Sequence, residues 1–205
     1  MLKYVLSKAL LYITKKELAK ATLMDSKGVM FRPFDTVKCS SLDIEVIALA
    51  LSRIMRFFGQ TELSVAQHCV NMARIFIHRG ETELAKQALL HEVSEAFMGD
   101  LASPLKKAFP LFKEIEESLI KKTFKCHGLP YPMDSQVHIL DKQIMINEAV
   151  VHMPKEGFWI SLGDLLDPQE IALAGVDLTA WKSEVAFMQF MMVAEELGLL
   201  NHTKE

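Results

Sequence analysis

The segment from Ala88 to Lys107, ALLHEVSEAFMGDLASPLKK, puts His91, Glu92 and Glu95 close together directly after an apolar stretch. On a helix His91 and Glu95 are i, i+4 neighbours and share a face with Leu84 and Ala88, so both point to where that helix packs. An imidazole and carboxylates on a buried face need one another, a cation or water, because an isolated buried charge is costly. His68 stands likewise among Val65, Met72 and Ala73, and Asp141 falls inside the run Ile139 to Ile146. These positions offer two imidazoles and two or more carboxylates. The mixed nitrogen and oxygen set suits one divalent ion (Mn, Co, Fe or Mg) rather than a thiolate zinc site. Taken singly, each histidine reads more readily as a core residue satisfied by a hydrogen bond, and spacing alone does not bring separate helices to one point.

The elements that must position these residues follow from apolar spacing. Ile44, Ile47, Ala48, Leu51, Met55 and Phe58 recur at i, i+3, i+4, i+7, which predicts a helix from about Leu42 to Phe58, stopped by Gly59. Ser64 occupies an N-cap position for a helix over Val65 to His78 that ends at Gly80. Further helices are expected over Thr82 to Met98, closed by Gly99, over Leu111 to His127, closed by Gly128, and over Ser135 to Met153, ended by Pro154. An irregular stretch from Pro154 to Pro168 contains Phe158 and Trp159, either a stacking cap for a ring or an anchor of the loop to the core. A last helix is expected over Leu178 to Leu200, where Met188, Met191 and Met192 read as core gap fillers. No strand alternation of useful length is present, so the expected fold is all-α, a single-domain helical bundle.

Composition narrows the function classes. The chain has 205 residues, half of them hydrophobic and 24% charged, with few glycines and prolines, which describes one globular domain rather than a disordered or repeat protein. A domain of this size buries roughly 70% of its unfolded surface and does not need a structural metal, so a metal here would serve function. The net charge of −3 gives no basic footprint for a nucleic-acid polymer. Cys39, Cys69 and Cys126 are odd in number, far apart and outside any CxxC pair. They read as reduced thiols used for packing, in a cytoplasmic protein. Residues 1–21 carry five lysines and one glutamate within the first twenty, without an apolar run long enough for a signal core or a membrane span. They read as an amphipathic helix packed on the domain or on a partner, with a membrane-surface role as the alternative.

Taken in order, SVAQH (Ser64 to His68), ALLHEVSEAFMGDLASPLKK and ILDKQIMINEA around Asp141 resemble the HD-superfamily phosphohydrolases. The similarity is to the small bacterial and phage branch that includes the 5′-deoxynucleotidases. The lead-in SKGVMFRPF followed by DIEVIALALSRIMRFFG resembles the same branch, and the resemblance covers roughly Thr22 to Met153. It implies an HD-type bundle core over 22–153, with 154–205 as a loop and C-terminal helix packing on it. It also implies one divalent metal held by His68, His91, Glu92 and Asp141, with Glu95 handling the catalytic water and Asp100 contacting the sugar hydroxyl. Arg56, with Arg53 as second choice, would contact phosphate. Lys106 is either a second phosphate ligand or a surface lysine. Glu92 stands where the family has its namesake aspartate, one methylene longer, and a misplacement near 1 Å can cost a positioned site about 100-fold. Glutamate remains a hard oxygen ligand. The resemblance therefore implies a metal-dependent phosphohydrolase acting on a nucleotide, most readily a 5′-nucleotidase for (deoxy)nucleoside monophosphates. The alternatives are a deoxynucleoside triphosphate triphosphohydrolase and a non-catalytic nucleotide-binding protein weakened at Glu92. The expected partner is the nucleotide, with no nucleic-acid polymer and no membrane, and the resemblance leaves a homodimer open.

Overall fold

The hydroxyl of Ser64 accepts a hydrogen bond from the Gln67 amide at 3.1 Å, and from that cap the central helix of the molecule begins. The computed structural model describes residues 17, 20–32, 37–101, 103–154 and 165–201. Along these the order is a short antiparallel ribbon, β1 (Leu23–Met24) with β2 (Met30–Phe31), then α1 (Ile44–Leu51), α2 (Val65–His78), α3 (Thr82–Leu90) and α4 (Glu95–Met98). There follow α5 (Ser103–Ala108), α6 (Pro110–Cys126), α7 (Ser135–His152), α8 (Pro168–Leu173) and α9 (Ser183–Glu196). The architecture is the all-α single-domain bundle that the periodicity predicts. All but residues 17, 20 and 21 of the expected N-terminal helix lie outside the described residues, as do Phe158 and Trp159. No helix among the described residues is long and apolar enough to cross a membrane.

α2 is buried along most of its length, with Val65, Cys69, Met72, Phe76 and their neighbours packed on α3, α7 and α9. That burial explains how a helix can carry His68 fully out of solvent: the surrounding apolar area holds the helix, and the polar group is satisfied locally. The C-terminal segment is tied to the same helix by side chains. Gln67 donates to the carbonyls of Asp177 and Thr179 at 2.9 and 2.7 Å and accepts from the Trp181 amide at 2.8 Å, while Asn71 donates to the Asp177 carbonyl at 2.9 Å.

Several expectations are corrected, beginning with the methionines of the last helix: Met188 and Met192 are exposed rather than core fillers, while Met191 packs partly against the core. The helix predicted over Leu42 to Phe58 ends at Leu51, because the chain beyond is recruited into extended pairing: the Arg56 amide donates to Leu63 and the Val65 amide to Ile54. Phe57 and Phe58 then adopt left-handed conformations, φ 55° and 60°, just ahead of Gly59. The helix predicted over Thr82 to Met98 is interrupted between His91 and Ser94, where the amides of Val93, Glu95, Ala96 and Phe97 donate three residues back rather than four. Finally, the cysteines are not three reduced thiols. Cys39 and Cys126, with Cα atoms 5.4 Å apart, form a disulfide that joins the short 3-10 turn Cys39–Ser41 to the end of α6, and Cys69 is the buried free thiol. The pair is 87 residues apart in sequence, so only the tertiary packing of Val37, Leu42 and Leu119 around it brings the two sulfurs together.

Candidate metal centre

His68 sits one turn into α2, and its ring is fully buried. Nδ1 lies 2.9 Å from Oε1 of Glu148, a carboxylate on α7 that is itself completely buried. His91 is the residue on which α3 ends, and its Nδ1 lies 2.7 Å from the carbonyl oxygen of Ala88. A ring nitrogen facing a carbonyl must donate, so Nδ1 of His91 carries the proton in the neutral ring; Glu148 selects the same tautomer for His68. Both Nε2 atoms then present lone pairs to one point, and they lie 3.4 Å apart.

Two carboxylates meet them there. Oδ1 of Asp141 is 3.2 Å from Nε2 of His68 and 3.9 Å from Nε2 of His91, and Oε1 of Glu92 is 3.5 Å from Nε2 of His91. The four ligand atoms all lie within 4.8 Å of one another. Two donor atoms each about 2.1 Å from an ion and about 90–110° apart are separated by about 3.0–3.4 Å, which is the spacing of the two imidazoles and of the His68 and Asp141 pair. His68, His91, Glu92 and Asp141 could thus hold a metal ion, and both imidazoles already have their far nitrogen committed, as metal-binding histidines do. Glu92 is included despite its extra methylene, so the departure from aspartate does not carry its oxygen out of the cluster.

The charges around this point favour a positive charge among the ligands. Burial opposes a charge on His91, yet Glu92, the Cys69 sulfur and Asp141 outweigh it and hold the imidazole well above its ordinary pKa. Burial likewise opposes ionisation of Asp141, but the two imidazoles outweigh it and keep the carboxyl well below the usual carboxylate range. Glu95, at the start of α4, is buried, and desolvation together with Glu92 and Asp100 pushes its carboxyl up to about 9 against the opposing charges of Lys106 and Arg56. Lys106 reaches Glu95 at 3.2 Å and also pairs with Glu116, so its charge is shared between two carboxylates. Burial works against that ammonium, but Glu92, Glu95 and Glu116 raise its pKa.

Most of the residues singled out in the sequence are therefore near one another. Arg56 is mostly shielded from solvent, and the Glu148 carboxylate raises its pKa despite desolvation, with further contributions from Asp141, Glu92 and Glu95. Asp100 lies half-buried past Gly99, close enough to act on Glu95. Lys106 is partly buried and paired with Glu95 and Glu116 rather than exposed on the surface. Arg53 is not brought in: it is exposed and lines a cleft of about 270 Å³ with Leu23, Met24, Val46, Leu49 and Phe97, whose lining includes none of the four candidate ligands. Glu148 is the residue that the sequence reading missed. The signal was there, since Glu148 lies seven residues after Asp141 and so on the same face of α7.

No family model matches the chain. Over 117 residues it is 32% identical to YfdR, an uncharacterized protein of Escherichia coli (strain K12). The match takes in 56% of this chain and spans 64% of the length of that relative.

Proposed function

We propose that this protein is a metal-dependent phosphohydrolase acting on nucleotides, removing the 5′-phosphate of a (deoxy)nucleoside monophosphate. The observation that carries the reading is the convergence of two Nε2 lone pairs, 3.4 Å apart, with two carboxylates, while each imidazole donates its other N–H to a buried acceptor. The sequence resemblance to HD-type phosphohydrolases supplies the reaction class, because its ordered motifs fall on these same residues.

A divalent cation bound there would lower the pKa of a water, offset charge on a phosphoryl oxygen and draw the Glu95 carboxyl down toward ionisation. Glu95 then has the burial and the position of a general base that accepts the proton of the attacking water. The water oxygen forms the new bond to phosphorus, the bond from phosphorus to the ester oxygen breaks, and the 5′ oxygen leaves with the proton that Glu95 took from the water. Arg56 and Lys106 bring positive charge to a cluster otherwise dominated by carboxylates, and would hold the phosphate by charge-assisted hydrogen bonds. Asp100, accepting from a sugar hydroxyl, would orient the nucleoside.

The test is hydrolysis of dAMP and dATP by the purified protein with Mn or Co added. Inorganic phosphate from dAMP, lost in the Glu95→Gln and His91→Ala proteins, is the expected result. Triphosphate from dATP with no turnover of dAMP would move the assignment to a triphosphohydrolase. No turnover of either, unchanged after Glu92→Asp, would overturn the enzymatic reading.

A further inference from the structure

The completely buried carboxylate of Glu148 lies against two groups with different tasks. Its Oε1 faces Nδ1 of His68 and its Oε2 faces Nε of Arg56, each at 2.9 Å. The contact with Arg56 is one of charge without hydrogen-bond alignment, and it engages Nε rather than a terminal nitrogen of the guanidinium. A histidine serves a cation only in the tautomer whose metal-facing nitrogen is bare, and the acceptor on its other nitrogen makes that choice. A guanidinium serves an oxyanion only when its fork is held in place, and a buried counter-charge holds it.

We propose that Glu148 is a positioning residue shared by the two halves of the site, aligning His68 for a divalent cation and Arg56 for a phosphate oxyanion. The His68 half needs only the candidate metal cluster, and the Arg56 half rests on the phosphohydrolase reading. A carboxylate that merely filled a buried position would be expected to pair with Arg56 alone. Glu148 instead divides its oxygens between a candidate metal ligand and a candidate anion ligand, so one side chain sets the relative placement of both.

The probes are cobalt(II) alone, followed by its visible absorption, and inorganic phosphate added to the cobalt-loaded protein. Glu148→Gln keeps the size and removes the charge. It should weaken cobalt binding by about 10- to 100-fold, as loss of an outer-shell partner does, and should alter the cobalt spectrum and weaken phosphate binding. Arg56→Met should weaken phosphate binding while leaving cobalt affinity and spectrum close to those of the unmodified protein. If Glu148→Gln fails to fold, the double variant Arg56→Met/Glu148→Met removes both members of the buried pair, and it must lose the cobalt affinity that Arg56→Met retains. Cobalt binding at unaltered affinity and spectrum in either Glu148 variant would overturn the proposal. An unmodified protein that takes up no cobalt would overturn the metal reading and the proposal together. Uptake of cobalt without phosphate binding would overturn the Arg56 half along with the phosphohydrolase reading, and the His68 half is then judged by cobalt alone.

Discussion

Replacing Glu95 by glutamine should make the metal-free protein more stable and the loaded protein inactive. Burial beside Glu92 and Asp100 raises the Glu95 carboxyl from 4.5 to about 9. At pH 7 the folded protein therefore keeps a proton that the unfolded chain releases. The folded state binds more protons, so stability falls as pH rises from the unfolded pKa and levels off only above the folded one. Between 4.5 and 7 the loss amounts to at most about 3.5 kcal/mol, at about 1.4 kcal/mol per unit. Glutamine matches the protonated carboxyl in shape and does not titrate. Glu95→Gln should thus raise the melting temperature at pH 7 by up to about 7–14 °C for a domain of this size. The gain should be near zero at pH 4 and should widen through pH 9. Paired thermal melts followed by circular dichroism in a chelator, at several pH values, measure this directly. A variant less stable than the parent, or a difference that does not grow with pH, would refute the electrostatic reasoning. Turnover with metal should fall by about 10²- to 10⁴-fold, the usual contribution of a general base.

Other outcomes follow from the same geometry. Cobalt affinity should drop about tenfold per pH unit below the raised pKa of His91, because the ion must displace that proton; calorimetry in buffers of different ionisation enthalpy should detect its release, and an uptake independent of pH would contradict it. Asp141→Ala should abolish cobalt binding with helicity retained, and a variant that still binds the ion would remove Asp141 from the site. Phe58, half-exposed at φ 60°, has a left-handed backbone whose relief is worth about 1–2 kcal/mol, against about 0.5–1 for the added freedom of glycine. Phe58→Gly should therefore stabilise the protein by about 0.5–1 kcal/mol, and a lowered midpoint in urea would count against it. Cys126→Ala should cost about 2–4 kcal/mol, whereas Cys69→Ala should not act through a cross-link; thiol counting on unfolded protein should give one free group before reduction and three after, and three before would remove the disulfide.

How much could be read from the residues varied with the range of the forces involved. α2 begins and ends where Ser64, the apolar spacing and Gly80 place it, because cap, periodicity and stop are all local to the helix. α7 agrees for the same reason, with Asp134 capping it through the Gln136 amide. The helix expected past Leu51 failed because Ile54 and Arg56 pair with residues that come later in the chain, a competition that apolar spacing cannot register. The last helix starts at Ser183 rather than near Leu178 because the backbone of Asp177 to Trp181 is engaged by Gln67 and Asn71, more than a hundred residues away. In the site, residue type and position pointed to His68, His91, Glu92 and Asp141, but their convergence depends on the packing of α2, α3 and α7. Glu148 went unread because an acidic residue late in a helix reads as a solvated one until its partners are known.

The most direct test of the central claim is anomalous diffraction from crystals of the protein loaded with cobalt. One strong peak per chain is expected, about 2.0–2.2 Å from Nε2 of His68 and of His91 and within coordinating reach of the carboxylates of Asp141 and Glu92. Nδ1 of His68 should remain on Glu148. An absence of any peak at this cluster, or a peak bound by other residues, would contradict it.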